Sequence, residues 1–131
     1  MTLPPQLSMV VLSTRDLPAL RRFYDALGWT ELPGGSDELA RFRMGELILA
    51  LYPATPGEGA TPPAGDHSAM TLVISVATAA EVDSAFAGAV HVGAEAVSQP
   101  QDQSWGGRSA VIADPEGNRW EILWVPRPSG G

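Results

Sequence analysis

Apolar residues recur along this chain in short runs that predict strands. The runs are continuous or alternate with polar residues, and glycine, proline or polar clusters bound them. Eight such runs are present: Leu7–Leu12, Trp29–Leu32, Leu39–Met44, Leu47–Tyr52, His67–Val76, Ala94–Val97, Arg108–Ala113 and Arg119–Val125. The polar segment Gln99–Gly107, which holds Trp105, is predicted to be a loop.

Two other stretches place apolar residues at helical spacing. The first follows Asp16, a good N-cap residue, and ends at Gly28, which suits the position after a helix. The second follows Thr78, which forms a capping-box pattern with Glu81, and ends at Gly93. Their apolar stripes are Leu17, Leu20, Phe23, Tyr24 and Leu27 in the first helix, and Val82, Phe86, Ala89 and Val90 in the second.

The same order of elements occurs twice. Each half runs strand, capped helix, glycine stop, short strand, loop, strand, glycine turn and strand, which predicts two βαβββ modules within one domain of 131 residues. Module one covers 7–53, a proline- and glycine-rich linker covers 54–66, module two covers 67–126 and a tail covers 127–131. A single module is too small to bury enough apolar area alone, so the modules are predicted to pair, within one chain or across a dimer.

The last strand carries the candidate functional residue. The turn Asp114–Asn118, with Pro115 and Gly117, leads into it. Side chains alternate along a strand, so Glu121 shares one face with Leu123 and Val125. If that face is buried, the Glu121 carboxylate requires a cation, a donor or a proton.

The paired modules and the stretch from Asp114 to Trp124 resemble the vicinal oxygen chelate superfamily, which includes glyoxalase I, extradiol dioxygenases and bleomycin-resistance proteins. The resemblance implies an α+β fold in which two paired βαβββ modules form a curved mixed sheet around a cleft, with helices outside. In its metal-binding members the first and last strands of each module supply the ligands. By position these would be Met9, Leu49, Met70 or the adjacent Thr71, and Glu121.

Of the residues at these positions, only Glu121 has a side chain of the kind that binds the divalent metals of this superfamily. Thioether side chains such as Met9 and Met70 suit soft metals, while oxygen and imidazole ligands suit the metals of this superfamily. His67 could join Glu121 as a ligand if the first strand of module two begins a few residues away from its predicted position. The two residues would still supply only two ligands, whereas a catalytic zinc site uses three. The sequence therefore predicts no cofactor, and a divalent metal held by Glu121 and His67 is the alternative.

Composition narrows the remaining functions. The net charge of −7 disfavours binding to nucleic acid and to anionic membranes. The chain has no cysteines, which excludes thiolate chemistry. The acidic surface would attract cations, or it serves solubility alone. No apolar run reaches the length of a membrane span, and Met1–Gln6 lacks the features of a signal peptide, so a soluble cytoplasmic protein is expected.

The hypothesis that the protein binds a small molecule rests on its tryptophans. Trp105, on a loop before a strand, is the favoured ligand contact, with Arg108 or Glu121 fixing a polar group. The predicted ligand-binding residues are Trp105, Arg108, Glu121, Met9, Leu49 and Met70. Core packing is the competing interpretation for Met9 and Met70.

The resemblance to metal-free members, such as the bleomycin-resistance proteins, implies a homodimer that binds or sequesters a small organic molecule. An acidic cleft with aromatic walls would suit a cationic or aromatic compound. The alternative is a metal-dependent lyase, isomerase or dioxygenase of the glyoxalase type. A third possibility is a metal-free enzyme that uses Glu121 as its general base.

Overall fold

The computed structural model describes residues 3–54 and 70–127. The chain divides into two compact units, Met1–Ala64 and Gly65–Gly131, and the described residues of each form one helix and one mixed sheet. This arrangement confirms the α+β class. Most of the predicted linker 54–66, the residue His67 and most of the tail 127–131 lie outside the described residues.

The first unit has a three-stranded sheet in the order β1-β3-β2. Strand β1 is parallel to β3, and β2 is antiparallel to β3. Its elements are β1 (Met9–Thr14), α1 (Leu17–Ala26), β2 (Ala40–Met44) and β3 (Leu47–Pro53). The predicted strand Trp29–Leu32 is reduced to a single bridge between Glu31 and Phe42.

The ends and the apolar stripe of α1 are as predicted. The carboxylate of Asp16 accepts a hydrogen bond from the Ala19 amide at 3.1 Å, and Gly28 follows the helix with φ +94°. Tyr24 is fully buried and lies against the ring of Phe42, with 6.1 Å between centroids. This contact shows which face of the sheet α1 covers.

The second unit has a four-stranded sheet in the order β4-β7-β6-β5. Strand β4 is parallel to β7, and the other pairs are antiparallel. Its elements are β4 (Thr71–Ser75), α2 (Ala79–His91), β5 (Glu95–Asp102), β6 (Arg108–Ala113) and β7 (Arg119–Trp124). The Thr78 hydroxyl accepts from the Glu81 amide at 3.2 Å, which confirms the predicted N-cap, and it also donates to the Glu81 carboxylate.

Strand β5 is longer than the sequence predicts. It continues through Asp102, so the predicted loop Gln99–Gly107 is wrong over its first four residues, and the turn between β5 and β6 spans only 103–107. The pairing of β5 with β6 shifts register twice between Ala96 and Gln101. Such bulges at a sheet edge accommodate Pro100 and polar residues, which made this segment resemble a loop.

Each sheet has a core face, which its helix covers, and an open face on the other side. In the first unit the core face includes Phe42 and its strand partner Leu49. In the second unit α2 packs on β5, β6 and β7, and the buried Trp120 and Ile122 belong to the core face. Because side chains alternate along β7, Glu121 and Leu123 lie on the open face. No helix among the described residues is long and apolar enough to cross a membrane.

Candidate functional site

The turn before β7 is fixed by the buried carboxylate of Asp114. Its Oδ1 atom accepts hydrogen bonds from the amides of Glu116 and Asn118, both at 2.9 Å, and its Oδ2 atom accepts from the Asn118 side chain at 2.7 Å. Gly117 takes φ +94° in this turn. These bonds set the point at which β7 begins and therefore the face on which Glu121 lies.

Glu121 lies in the interior of the second sheet. It pairs with Val73 of β4 on one side and with Val111 of β6 on the other. The residue is half-buried, and no described residue donates a hydrogen bond to its carboxylate or forms an ion pair with it. A carboxylate flanked by two valines on an open sheet face can accept a hydrogen bond from a ligand or pair with a cationic ligand.

The described residues do not fit a divalent metal. No group of three or more His, Cys, Asp or Glu residues able to hold a metal occurs among residues 3–54 and 70–127. The two strand neighbours of Glu121, Val73 and Val111, have no donor atoms in their side chains. His67, the second ligand of the metal alternative, lies outside the described residues.

The other positions carried over from the metal-binding pattern differ in their surroundings. Met9 lies beside Ile48 and is 40% exposed, on the open face of the first sheet. Leu49 is 2% exposed on the core face under α1, and its predicted ligand contact stays a prediction. Met70 immediately precedes β4 and is exposed.

Leu49 and Glu121 occupy the same position in their strands but lie on opposite faces. Each is the third residue of its strand, β3 or β7, and the fourth residue after the glycine of the preceding turn. Because side chains alternate, β3 begins on the core face at Leu47, whereas β7 begins on the open face at Arg119. The same count from the two glycines therefore reaches the core face in β3 and the open face in β7.

Arg108 joins three elements of the second unit. Its Nε and Nη2 atoms donate to the two carboxylate oxygens of Asp83 on α2, both at 2.8 Å, and Nη1 donates to Asp102 on β5 at 3.0 Å. Hydrogen bonding to Arg108 lowers the pKa of Asp83, and the two carboxylates raise the pKa of Arg108. This geometry gives the guanidinium a structural role, and the predicted ligand contact stays a prediction.

Trp105 lies at the tip of the β5–β6 hairpin and is 54% exposed. Its ring lies directly over Gly107, where even a methyl group would overlap it. The turn is closed by the Gln103 amide, which donates to the Gly107 carbonyl at 2.8 Å. The indole is therefore held at a fixed place while much of its surface remains open to a ligand.

The neighbours that define this site could not be recognised from the sequence. Val73 and Val111 are ordinary strand residues, and only the register of β4, β7 and β6 brings them beside Glu121. Asp83 was also missed as a partner of Arg108, although it lies on the predicted second helix. Its position between Val82 and Phe86 gave no signal of a contact 25 residues along the chain.

Sequence comparison establishes the family. A family model described as the Glyoxalase/Bleomycin resistance protein/Dioxygenase superfamily matches residues 6–122. The chain therefore belongs to this superfamily, and the resemblance noted from its motifs is confirmed.

Relatives of similar sequence occur in mycobacteria. A Mycobacterium bovis protein described only as uncharacterized is 30% identical over 105 residues, which is 76% of this chain and 67% of that protein. The chain spans 60% of the length of two similar Mycobacterium tuberculosis proteins.

Two solved structures share the fold. A glyoxalase-related enzyme from Fulvimarina pelagi matches with a TM-score of 0.83 and 24% identity, over 98% of this chain and 96% of that one. A glyoxalase/bleomycin resistance protein/dioxygenase from Nocardioides matches with a TM-score of 0.79 and 27% identity, over 100% of this chain and 89% of that one.

Proposed function

We propose that this chain binds a small organic cation without a metal, on the open face of the second sheet around Glu121. The observation that carries the proposal is the half-buried Glu121 carboxylate, which has no hydrogen-bond or ion-pair partner among the described residues. Its neighbours Val73 and Val111 offer apolar contact area and no competing cation. A ligand that joins a positive charge to an apolar body matches this arrangement.

Two further features support a cationic aromatic ligand. The net charge of −7 favours the approach of cations over anions. Trp105 presents a fixed, half-exposed indole in the same unit, and an indole face attracts cations and stacks on aromatic rings.

The test measures binding of benzyltrimethylammonium by calorimetry, with neutral benzyl alcohol as the uncharged comparison. Glu121→Gln retains the shape of the side chain and removes its charge. It should weaken binding of the cation by about 1–3 kcal/mol, which is about 5- to 150-fold, because the attraction between the carboxylate and the quaternary ammonium charge is lost, and it should leave the alcohol unaffected. Trp105→Ala should weaken the cation by about 0.5–2 kcal/mol.

The matched control is Glu95→Gln, which removes an equal charge from an exposed position on β5. It should leave the dissociation constant within about twofold of wild type, because exposed charges contribute little. Wild-type affinity in Glu121→Gln would contradict the proposal. Affinity that requires a stoichiometric divalent ion, or chemical conversion of a bound compound, would instead support a glyoxalase-type enzyme.

A further inference from the structure

The first unit contains a pocket that none of the predicted ligand-binding residues lines. It has a volume of about 410 Å³ and is lined by Ser36, Glu38, Leu39, Tyr52 and Pro53. Pockets that bind small molecules have volumes of about 300–1,000 Å³, so this one lies in the range for a small ligand. It lies where the loop before β2 meets the end of β3.

Arg21 of α1 holds the loop side of this pocket in place. Its Nη2 atom donates to the carbonyl oxygens of Ser36 at 2.6 Å and Leu39 at 2.7 Å, and its Nε atom pairs with Glu31 at 3.0 Å. Gly35 packs so closely that a Cβ atom there would lie 2.7 Å from the Glu31 carboxylate. The loop wall is therefore ordered before any ligand arrives, which reduces the entropy lost on binding.

The charge available in the pocket is negative. Glu38 is exposed, and its carboxylate has no hydrogen-bond or ion-pair partner among residues 3–54 and 70–127. Asp37, its neighbour, is also exposed and adds a second negative charge. The nearby positive charge of Arg21 is balanced by Glu31, so it does not cancel that of Glu38.

The remaining walls are aromatic and apolar. Tyr52, at the end of β3, is 40% exposed, and Leu39 and Pro53 contribute aliphatic surface. A tyrosine ring attracts a cation placed over its face and also packs against a second ring. A carboxylate at one side and an aromatic ring at the other suit a molecule with an ammonium group and a short hydrophobic body.

We propose that this pocket is a binding site for small aromatic primary amines. The ammonium group donates to the Glu38 carboxylate, and the aromatic ring packs against Tyr52, Leu39 and Pro53. All of the residues that line this pocket belong to the first unit, whereas Glu121 belongs to the second. The proposal does not use Glu121, so it can be tested independently of the function proposed above.

The test follows amide chemical shifts of the full chain by NMR during titration with benzylamine. The amides of Ser36, Glu38, Leu39 and Tyr52 should shift together and saturate with one dissociation constant. Benzyl alcohol, which has the ring without the charge, should shift the same amides with an affinity that is weaker by at least about tenfold. Glu38→Gln should weaken benzylamine about tenfold, and Tyr52→Leu should weaken it about threefold or more.

Two control variants separate this pocket from other sites. Glu46→Gln removes an exposed carboxylate near the start of β3 and should bind benzylamine at this pocket like wild type. Glu121→Gln should also leave these four shifts unchanged, whatever its effect on other ligands. Absence of saturable shifts in the pocket, equal affinity for amine and alcohol, or wild-type affinity in Glu38→Gln would overturn the proposal.

Discussion

The ion pair between Arg108 and Asp83 depends on pH, because the Asp83 carboxyl group must be charged to form it. Hydrogen bonding to Arg108 lowers the pKa of Asp83 below its ordinary value of 3.8. A carboxyl group whose pKa is lower in the folded state stabilises that state at pH values above its unfolded pKa. This contribution is lost as the pH falls through the lowered folded pKa.

Asp83→Asn should therefore reduce the free energy of unfolding at neutral pH. The difference from wild type should shrink below a pH of about 3.8, because the wild-type carboxyl group becomes protonated there as well. Urea unfolding at several pH values measures this difference. Asp37→Asn, at an exposed loop position, is the control and should give a smaller difference at neutral pH. A difference for Asp83→Asn that does not vary with pH would show that Arg108 does not hold this carboxylate in its charged form.

At the scale of elements, two glycines of the second unit have opposite surroundings. A Cβ atom at Gly107 would overlap the Trp105 ring and lie 2.5 Å from the Trp124 carbonyl oxygen, whereas a Cβ atom at Gly88 in α2 would meet nothing within 4 Å. Gly107→Ala should destabilise the protein by about 1–3 kcal/mol, because neither the ring nor the backbone can make room without moving. Gly88→Ala should stabilise it by about 0.5–1 kcal/mol, since alanine favours a helix interior.

Thermal or urea unfolding of both variants measures these effects, and tryptophan fluorescence reports whether the Trp105 ring has moved. The emission should change in Gly107→Ala and stay as in wild type in Gly88→Ala. Equal stability of the two variants would mean that Trp105 does not pack on Gly107 in solution.

Elements that depend on local chemistry could be predicted from the sequence. Asp16 and Thr78 cap their helices, and Gly28 and Gly93 follow them with positive φ. Capping and left-handed glycine positions are decided by a few adjacent residues, which a sequence displays directly.

Features that depend on pairing between strands could not be predicted. The face of Leu49 depends on the face on which β3 begins in its pairing with β2, and the extension of β5 depends on bulges that form only against β6. The candidate site also combines a feature that the local sequence determines with one that strand pairing determines. Alternation along β7 pointed to Glu121, while Val73 lies beside it through a parallel pairing with β4 that no local pattern encodes.

At the scale of the whole molecule, exposed apolar side chains on the first sheet require an explanation. Met9 and Val11 are 40% and 52% exposed on the open face of β1, which is an edge strand of its sheet among the described residues. An apolar edge strand left open to solvent promotes pairing with other chains, and soluble proteins cover such edges. We propose that a second copy of this chain covers this edge in a symmetric dimer.

Light scattering should therefore give twice the 13.8 kDa chain mass at micromolar concentration. Val11→Lys should shift the mass to that of a single chain, because a two-fold interface contains the substitution twice and would bury two unpaired charges. Ala87→Lys introduces an equal charge at an exposed position on α2 and should remain dimeric. A wild-type protein that stays monomeric at high concentration would contradict the dimer. A Val11→Lys variant with the wild-type mass would show that β1 is not part of the interface, so both measurements are needed to locate the partner on this edge.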